Sequence, residues 1–436
     1  IVMRAILIAL IATVFMTSSL DAVALSGIVQ KSSVDVYAEP KLDAPKVATL
    51  KRDAKVDVSG QQGLWYQLQL PAGTSGYLRV NDVRVDYADV ESGDANLRVL
   101  MGGKAGGGRV TETAGVRGID ESDLKSAAFD QAQLTAMTNN RVDDAAANAY
   151  ASKQGWQATS VTYDGEAKRG KGGGGKSALE SGGSVVGSIS SGLGSLFGKA
   201  AKVAPKSEEE LSAEELALGP QIAGRVLGAR PLWNDAAAQK RVNVIGRWVA
   251  MQTSRADLPW AFGVIDTPEV NAFAAPGGYI LVTRGLYELL SSDSEVAAVL
   301  GHEISHCVQR DHYNVIRKQE MASMGKDVVS SKIDVGSGSP AEMFARQYVE
   351  EHGATIMLTS LDREAEYRAD KAAEIYLARA GMNPMTLYSV LQKMTALGSK
   401  SAALAQLYKT HPTLDARMDR IDKRNYEGLT AYTARD

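Results

Sequence analysis

The stretch His302-Glu303-Ile304-Ser305-His306 determines how the second half of the chain is interpreted. Upstream of it, Ser292 and Glu295 form an S-x-x-E capping box, which predicts that a helix begins there. Apolar residues then recur at every fourth position, namely Val296, Leu300, Ile304 and Val308. This spacing gives a helix one apolar face that can pack on a core. The sequence therefore predicts a packed helix that carries both histidines.

The two histidines of this stretch lie four positions apart, so both imidazoles can hold one metal ion. Glu303 follows the first histidine and could reach a water on the ion without binding the metal itself. A zinc ion with three protein ligands keeps a fourth position for water and lowers the pKa of that water to about 7. Glu303 could take the proton as hydroxide attacks a carbonyl carbon. The alternative is a surface helix with two solvated histidines.

A third metal ligand could come from either of two places. His312 lies ten residues after His302, the spacing of the third histidine in metzincins. That pattern needs a glycine where this chain has Gln309, so we expect the helix to continue and His312 to be a partly exposed helix residue.

Glu366 is the other candidate, because it shares a helix face with Asp370, four positions later. Glu366 could bind the metal while Asp370 accepts the N–H of a ligating histidine and fixes its tautomer. Small residues would let this helix approach the first one closely, namely Ala365, Ala369, Ala372 and Ala373. The alternative is a solvated acidic helix.

A histidine and an arginine near the C-terminus could also reach the metal. Pro412, which follows His411, suits the first turn of a helix, and Arg417 would lie roughly one and a half turns further along it. Either side chain could stabilise the oxyanion of a tetrahedral intermediate. The alternative is a helix-terminal histidine unrelated to the metal.

The segment Phe273–Val282 combines a Pro-Gly-Gly turn with a β-rich run, which suits an exposed edge strand. Extended peptides can add to such an edge through main-chain hydrogen bonds, with broad sequence tolerance. The residues predicted to bind substrate are Ala274, Ala275, Pro276, Gly277 and Gly278. The alternative is an internal structural hairpin. Cys307 is expected to pack in the interior.

Composition limits the remaining possibilities. The chain has 436 residues, which suggests about three units. A formal net charge of −3 and 6% aromatic residues give no reason to expect nucleic-acid binding. Cys307 is the single cysteine, so an intramolecular disulfide framework and a cysteine-rich metal site are excluded.

Residues 1–24 have the pattern of a signal peptide. Arg4 precedes the apolar run Ala5–Met16, and Ala22-Val23-Ala24 supplies small residues at a cleavage site. The run is too short to span a bilayer comfortably. No cysteine lies near the cut, so we expect an exported protein that is periplasmic or secreted, soluble after cleavage and not a lipoprotein. An uncleaved anchor is the alternative.

Residues 27–87 alternate with a period of two between Gly, Pro and Asp residues, which marks half-buried strands. The predicted strands are Val34–Tyr37, Lys55–Val58, Trp65–Leu70 and Gly76–Leu78. With the runs Val36–Pro40, Ala48–Arg52 and Gly63–Tyr66, this segment resembles the bacterial SH3-like domain family. The resemblance implies a small β-barrel that binds peptides or cell-wall glycan. Alternatively, Trp65 and Tyr77 only pack the barrel core.

The segment between the two dense parts is less informative. Residues 88–165 form a partly helical connecting region, with two or three helices expected between Ser122 and Gly155. Residues 166–206 are a Gly/Ser-rich flexible linker by composition. Apolar residues recur in it at helical spacing, and could touch a membrane surface or fill a groove: Val185, Ile189, Leu193, Leu196 and Phe197. A weakly ordered linker is the alternative, because glycines weaken any helix there.

Four ordered motifs between residues 207 and 426 resemble the M48 zinc endopeptidases, a family that includes periplasmic proteases. They are Asn271–Ile280, Gly301–His306, Glu366–Asp370 and His411-Pro412. The resemblance implies that one Zn²⁺ is bound by His302, His306 and Glu366. It further implies that Glu303 is the general base, that Asp370 supports a ligand, and that His411 lies near the metal and can occlude it in resting forms.

Two functions follow from these patterns. The first is an exported zinc metalloendopeptidase that cleaves unfolded or misassembled envelope proteins, with an α+β fold that joins a mainly helical zincin-like domain to the SH3-like barrel. The second is a non-proteolytic assembly or binding factor with a structural or occluded metal site. The flexible stretch Ser330–Pro340 and the apolar stripe of the linker motivate the second function. The expected partners are protein or peptide substrates. The sequence does not decide whether the protein also contacts a membrane surface.

Overall fold

The computed structural model describes residues 24–70, 74–86, 119–166, 207–324, 338–398 and 401–435. The predicted signal peptide up to residue 23, the predicted linker from residue 167 onward and its apolar stripe lie outside the described residues. None of the helices in the described ranges combines the length and the apolarity that crossing a lipid bilayer requires.

The N-terminal part folds as an antiparallel sheet of seven strands, in the order β3-β2-β6-β5-β4-β1-β7. The strands are β1 (Leu25–Val29), β2 (Ser33–Tyr37), β3 (Lys46–Lys51), β4 (Lys55–Gln62), β5 (Trp65–Gln69), β6 (Ser75–Arg79) and β7 (Val83–Val85). Buried and exposed positions alternate along them, as the period of two predicts. In β4, Val56 and Val58 are buried while Lys55 and Asp57 are exposed.

Trp65 packs inside this sheet. Its side chain is 5% exposed, and its ring lies edge-on to Tyr37, with the ring centroids 5.5 Å apart. The guanidinium carbon of Arg79 lies 5.0 Å from the centroid of the Trp65 ring. Trp65 is therefore a core residue, whereas Tyr77 is half-buried.

The connecting region contains three helices in its described part, α1 (Glu121–Ser126), α2 (Gln131–Asn139) and α3 (Asp144–Lys153). Each begins after an aspartate whose side chain accepts a backbone N–H of the first turn, which satisfies a donor that the helix leaves unpaired. These aspartates are Asp120, Asp130 and Asp143.

The C-terminal part is mostly helical and contains one small sheet. Its helices are α4 (Glu208–Ala229), α5 (Ala236–Ala250), α6 (Arg284–Leu289), α7 (Asp293–Val308), α8 (Asp311–Met324), α9 (Pro340–His352), α10 (Arg363–Arg379), α11 (Thr386–Thr395), α12 (Leu407–Thr410) and α13 (Leu414–Arg424). Short 3₁₀ helices lie at Thr355–Leu358, Ala402–Leu404 and Thr430–Tyr432.

The small sheet has the strand order β8-β10-β9, formed by β8 (Ala261–Ile265), β9 (Ala272–Ala275) and β10 (Tyr279–Thr283). Strand β10 is parallel to β8 and antiparallel to β9, so β9 lies at the edge of the sheet. A mainly helical domain beside an antiparallel β domain confirms the predicted α+β fold class.

Helix α7 lies in the interior, packed against α5, α10, α11 and β9. Ser292 is its N-cap and accepts the backbone N–H of Glu295, so the helix begins where the sequence predicts. The reciprocal bond of the predicted capping box does not form. Instead, Glu295 accepts the backbone N–H of Ser291 at 2.7 Å, and Lys393 donates to its other oxygen at 2.5 Å. This buried pair ties the start of α7 to α11.

Small residues allow a close contact between α7 and α10. A Cβ added to Gly301 would lie 3.4 Å from the Cα of Ala373. The four alanines that the sequence singles out on α10 are all buried, namely Ala365, Ala369, Ala372 and Ala373. The short distance brings the acidic side chains of α10 within reach of the histidines of α7.

The N-terminal sheet docks on α11 and α13 of the C-terminal part. Arg84 in β7 donates to three carboxylates of α13, those of Asp415, Asp419 and Asp422, at 2.9 to 3.2 Å. The buried Gln392 of α11 donates to the carbonyls of Val80 and Val83 at 2.8 and 3.0 Å, and accepts the N–H of Val85 at 3.1 Å. Backbone groups at this end of the sheet are thus paired by the other domain.

We expect Arg84→Ala to lower the free energy of unfolding by about 2 kcal/mol, because it removes hydrogen bonds between charged groups in a largely buried side chain. Arg420→Ala is the matched control, since Arg420 on α13 forms an exposed pair with Glu364. Such a pair contributes less than about 1 kcal/mol. Thermal and urea unfolding of both variants would measure the difference, and equal losses would contradict a stabilising role for the docking.

Candidate active site

Three histidines and one glutamate converge where α7, α10 and the turn between α12 and α13 meet. One nitrogen or oxygen atom from each of His302, His306, Glu366 and His411 lies within 4.8 Å of the others. The Nε2 atoms of His302 and His306 are 3.2 Å apart. Oε2 of Glu366 lies 3.5 Å from Nε2 of His302, and Oε1 of Glu366 lies 3.7 Å from Nε2 of His306. The structure thus brings together the three predicted ligands and His411 in one group that could hold a metal ion.

The ring of His302 is oriented from behind by Asp370. Nδ1 of His302 donates to Oδ1 of Asp370 at 2.9 Å, which leaves Nε2 as the ring nitrogen that faces the group. Arg417 donates to both oxygens of Asp370, at 3.1 and 2.6 Å. Arg417 was expected to be able to stabilise an oxyanion, but its guanidinium is buried on the Nδ1 side of His302 and already paired with Asp370. In this structure it supports Asp370 rather than facing the cavity.

The ring of His306 has an equivalent support that the sequence analysis missed. Nδ1 of His306 donates to Oδ2 of Asp311 at 2.9 Å, and Arg368 of α10 donates to the other oxygen of Asp311 at 2.7 Å. Asp311 lies five residues after His306, on the next helix, so helical spacing alone would not have placed it. No pattern in the sequence pointed to Asp311, because the turn at Arg310 that redirects the chain was not expected.

The expectation that the metal-binding helix continues past Gln309 is wrong. Gln309 is the C-cap of α7, and Arg310 has φ +58°, a left-handed conformation that ends the helix. The Arg310 side chain is held by the buried Glu215 at 2.9 Å and by Glu208 at 2.5 Å. Two carboxylates of α4 therefore stabilise a left-handed turn at Arg310, a conformation that glycine adopts more readily than other residues.

His312 is consequently not a partly exposed helix residue. The turn at Arg310 redirects the chain, and His312 is 9% exposed with its ring centroid 6.0 Å from that of His306. Burial and the neighbouring His306 lower the pKa of His312 to about 4, so the ring is neutral. It does not belong to the metal-binding group, as expected, but it lines the same cavity.

His411 precedes α13 and presents a neutral ring. The hydroxyl of Thr410 donates to the carbonyl of Gln406 at 3.2 Å, so it accepts from Nδ1 of His411 at 2.8 Å. Burial lowers the pKa of His411 to about 4. Nε2 therefore carries a lone pair and lies 3.7 Å from Oε2 of Glu366. Pro412 is not in the first turn of α13, because Thr413 is the N-cap of that helix.

The charges of the group favour a bound cation. Burial would raise the pKa of Glu366, but the three histidines outweigh this and hold it well below its ordinary range. Burial and Arg417 lower the pKa of His302, but the carboxylates of Asp370 and Glu366 raise it to about 9, so a metal ion would displace a proton from Nε2 when it binds. Within the described residues, Oε2 of Glu366 is buried without a hydrogen-bond partner. A metal ion would satisfy that oxygen, so the residues present fit a divalent cation.

Glu303 lies in the wall of a small cavity beside this group. The cavity has a volume of about 10 Å³, enough for roughly one water. Apolar residues from β9, from the Thr355–Leu358 helix and from the segment after that helix also line the wall, namely Ala272, Phe273, Ala274, Met357 and Leu361. Glu303 can thus face a small molecule next to the metal-binding residues without being one of them.

The predicted substrate segment divides into two parts. Ala274 lines the cavity, and the carbonyl of Ala275 accepts from the buried Sγ of Cys307 at 3.3 Å. The turn residues Pro276, Gly277 and Gly278 are buried and do not line the cavity. Strands β9 and β10 are buried along their whole length as well, so the expectation of an exposed edge strand is wrong. The turn packs on α4, where a Cβ on Gly219 would lie 2.3 Å from the Pro276 carbonyl.

We expect Asp311→Asn to lower the affinity for Zn²⁺ by about 10- to 100-fold, because the ring of His306 loses its carboxylate partner. Competition with a chelating indicator would measure this affinity. Glu364→Gln is the matched control, since Glu364 lies exposed on α10, where it pairs with Arg420 at 3.1 Å. An unchanged affinity in the Asp311 variant would show that this carboxylate does not orient a ligand.

Comparisons with known proteins were consistent with this geometry. Residues 236–425 match Peptidase family M48, and residues 32–83 match Bacterial SH3 domain. The first match runs from α5 to the end of α13 and includes all four residues of the metal-binding group.

Relatives match only part of the chain. It is 27% identical over 213 residues to the beta-barrel assembly-enhancing protease of Yersinia pestis, covering 49% of this chain and 43% of the relative. It is 30% identical over 177 residues to the mitochondrial metalloendopeptidase OMA1 of Arabidopsis thaliana, covering 40% and 34%. The chain spans less than half the length of these two relatives. It contains a peptidase M48 domain at residues 236–425 and a bacterial SH3 domain at residues 32–83.

Proposed function

We propose that this chain is a zinc-dependent endopeptidase. One observation carries the proposal: the side chains of His302, His306, Glu366 and His411 converge within 4.8 Å, and Glu303 lines the cavity beside them. The M48 domain supports the same class of reaction, and the relatives are named as proteases and metalloendopeptidases.

His302, His306 and Glu366 would hold the ion, and imidazole and carboxylate donors suit zinc. When bound, the ion would polarise a peptide carbonyl and increase the acidity of water. With the ion bound, Asp370 and Asp311 would fix the tautomers of the two histidines of α7, so that both Nε2 lone pairs point inward. Glu303 would accept the proton of the attacking water and pass it to the leaving amine.

His411 has a different role in this proposal. Its Nε2 carries a lone pair, so the ring can act as a fourth metal ligand but cannot donate a hydrogen bond to an oxyanion in that tautomer. Peptide binding would therefore require His411 to move away from Glu366. This agrees with a resting form in which the ring occludes the ion, as the M48 resemblance implies.

The substrate class and the cellular location extend this proposal. The N-terminal signal pattern supports export to the periplasm, and two relatives are named beta-barrel assembly-enhancing proteases. Unfolded or misassembled envelope proteins are therefore the substrates that we propose. Since Trp65 is packed in the core, a peptide or peptidoglycan ligand of the SH3 domain would contact other residues of that domain.

We expect Glu303→Gln to retain zinc and to lower proteolysis by at least about 100-fold, because it removes the general base without removing a ligand. Turnover of a casein-like substrate, with metal content measured on the same sample, tests this. Treatment of the wild type with a chelator should abolish activity, and added Zn²⁺ should restore it. Retained turnover in the Glu303 variant would refute the mechanism.

The alternative function is a binding or assembly factor with an occluded metal site. The position of His411 in the metal-binding group and the small cavity favour it, because neither leaves room for a peptide in this conformation. Complementation of a deletion strain by Glu303→Gln separates the two functions. Full complementation would favour the alternative, and failure with normal protein levels would favour the peptidase.

A further inference from the structure

His312 lines the cavity beside the metal-binding group but is not part of that group. Its side chain is 9% exposed, and its ring centroid lies 6.0 Å from that of His306. Within the described residues, Nδ1 of His312 is buried and has no hydrogen-bond partner. A buried polar atom without a partner destabilises the folded protein, whereas an apolar ring of similar shape would not. An imidazole at this position therefore requires an explanation other than packing.

The other ring nitrogen has a partner on the edge strand. The backbone of Ala274 in β9 faces the ring of His312, and Nδ1 has no hydrogen-bond partner in the described part of the chain. We infer that Nε2 carries the proton and donates it to the Ala274 carbonyl. A neutral imidazole in this tautomer presents Nδ1 as a hydrogen-bond acceptor. What fills the cavity should then offer a donor to Nδ1.

The turn at Arg310 gives this ring its position. Because Arg310 ends α7 in a left-handed conformation, held by Glu215 and Glu208, His312 is directed back toward β9 and His306. Two acidic residues of α4 thus hold Arg310 in the conformation that buries the imidazole of His312 beside the candidate metal centre. Packing of the hydrophobic core alone would not need an imidazole there.

We propose that His312 is a substrate-binding residue whose Nδ1 accepts a hydrogen bond from a main-chain N–H of a peptide bound beside His306. The proposal rests on the proposed peptidase function. Strand β9 lines the same wall, so a peptide extended along it would bring amide groups toward the ring. A main-chain contact would raise affinity without selecting a side chain.

His312→Phe tests the proposal, because it keeps a planar ring and removes the acceptor. We expect KM for a peptide substrate to rise about tenfold with little change in kcat, as for the loss of one hydrogen bond. Zinc content should not change. The melting temperature should change little, because the loss of the hydrogen bond to the Ala274 carbonyl is offset by the removal of the unpaired Nδ1 atom. His312→Asn, which offers an amide oxygen close to the position of Nδ1, should restore most of the affinity.

His352→Phe is the matched control, because His352 stacks on Tyr348 at 4.6 Å and does not line the cavity. An unchanged KM in His312→Phe, a loss of zinc, or a lower melting temperature with no rescue by asparagine would overturn the proposal. Calorimetric titration of a peptide into Glu303→Gln, with and without His312→Phe, measures the same contact without turnover. A wild type that binds zinc but cleaves no peptide would refute the proposed function, whereas this titration would still decide the role of His312.

Discussion

The pairing of buried carboxylates with buried imidazoles is the constraint on which the C-terminal domain depends. Glu366 and Asp370 are fully enclosed on α10, and each carboxylate would be unstable there without the histidines of α7 or Arg417. Removing one partner of such a pair leaves an uncompensated charge in the interior. The contact between α7 and α10 is therefore fixed in register as well as in distance, since only one alignment satisfies both carboxylates.

The same logic extends outward from the site along α13. One face of this helix carries Arg417, which holds Asp370, and another carries the three aspartates that bind Arg84 of the N-terminal sheet. His411 lies just before the helix. This short helix thus contacts both the metal-binding group, through Arg417, and the N-terminal sheet, through its aspartates.

Several features of the site could be predicted because they depend on spacing within one helix. The pair His302 and His306 shares a face by helical periodicity, and Glu366 and Asp370 do so on a second helix. The structure brings all four together, while their chemical roles remain proposals. The prediction was wrong at Gln309 and at the Pro276–Gly278 turn. In both places a residue of α4, Glu215 or Gly219, decides the local conformation, and it lies more than fifty positions away in the sequence.

By itself, the sequence determined which residues could bind a cation, where α7 begins, and that an antiparallel β domain precedes a helical one, because periodicity, capping and ligand chemistry are local properties. Only the tertiary structure decided that α7 ends at Val308, so that Asp311 comes to lie beside His306. It also decided that His312 enters the cavity wall and that Arg417 faces Asp370. Each of these outcomes depends on a charged side chain that is distant in sequence and buried next to the residue in the fold. The spacing of residues within one helix cannot show which charged side chain that will be, because ion pairs form between the charged groups that helix packing brings into contact.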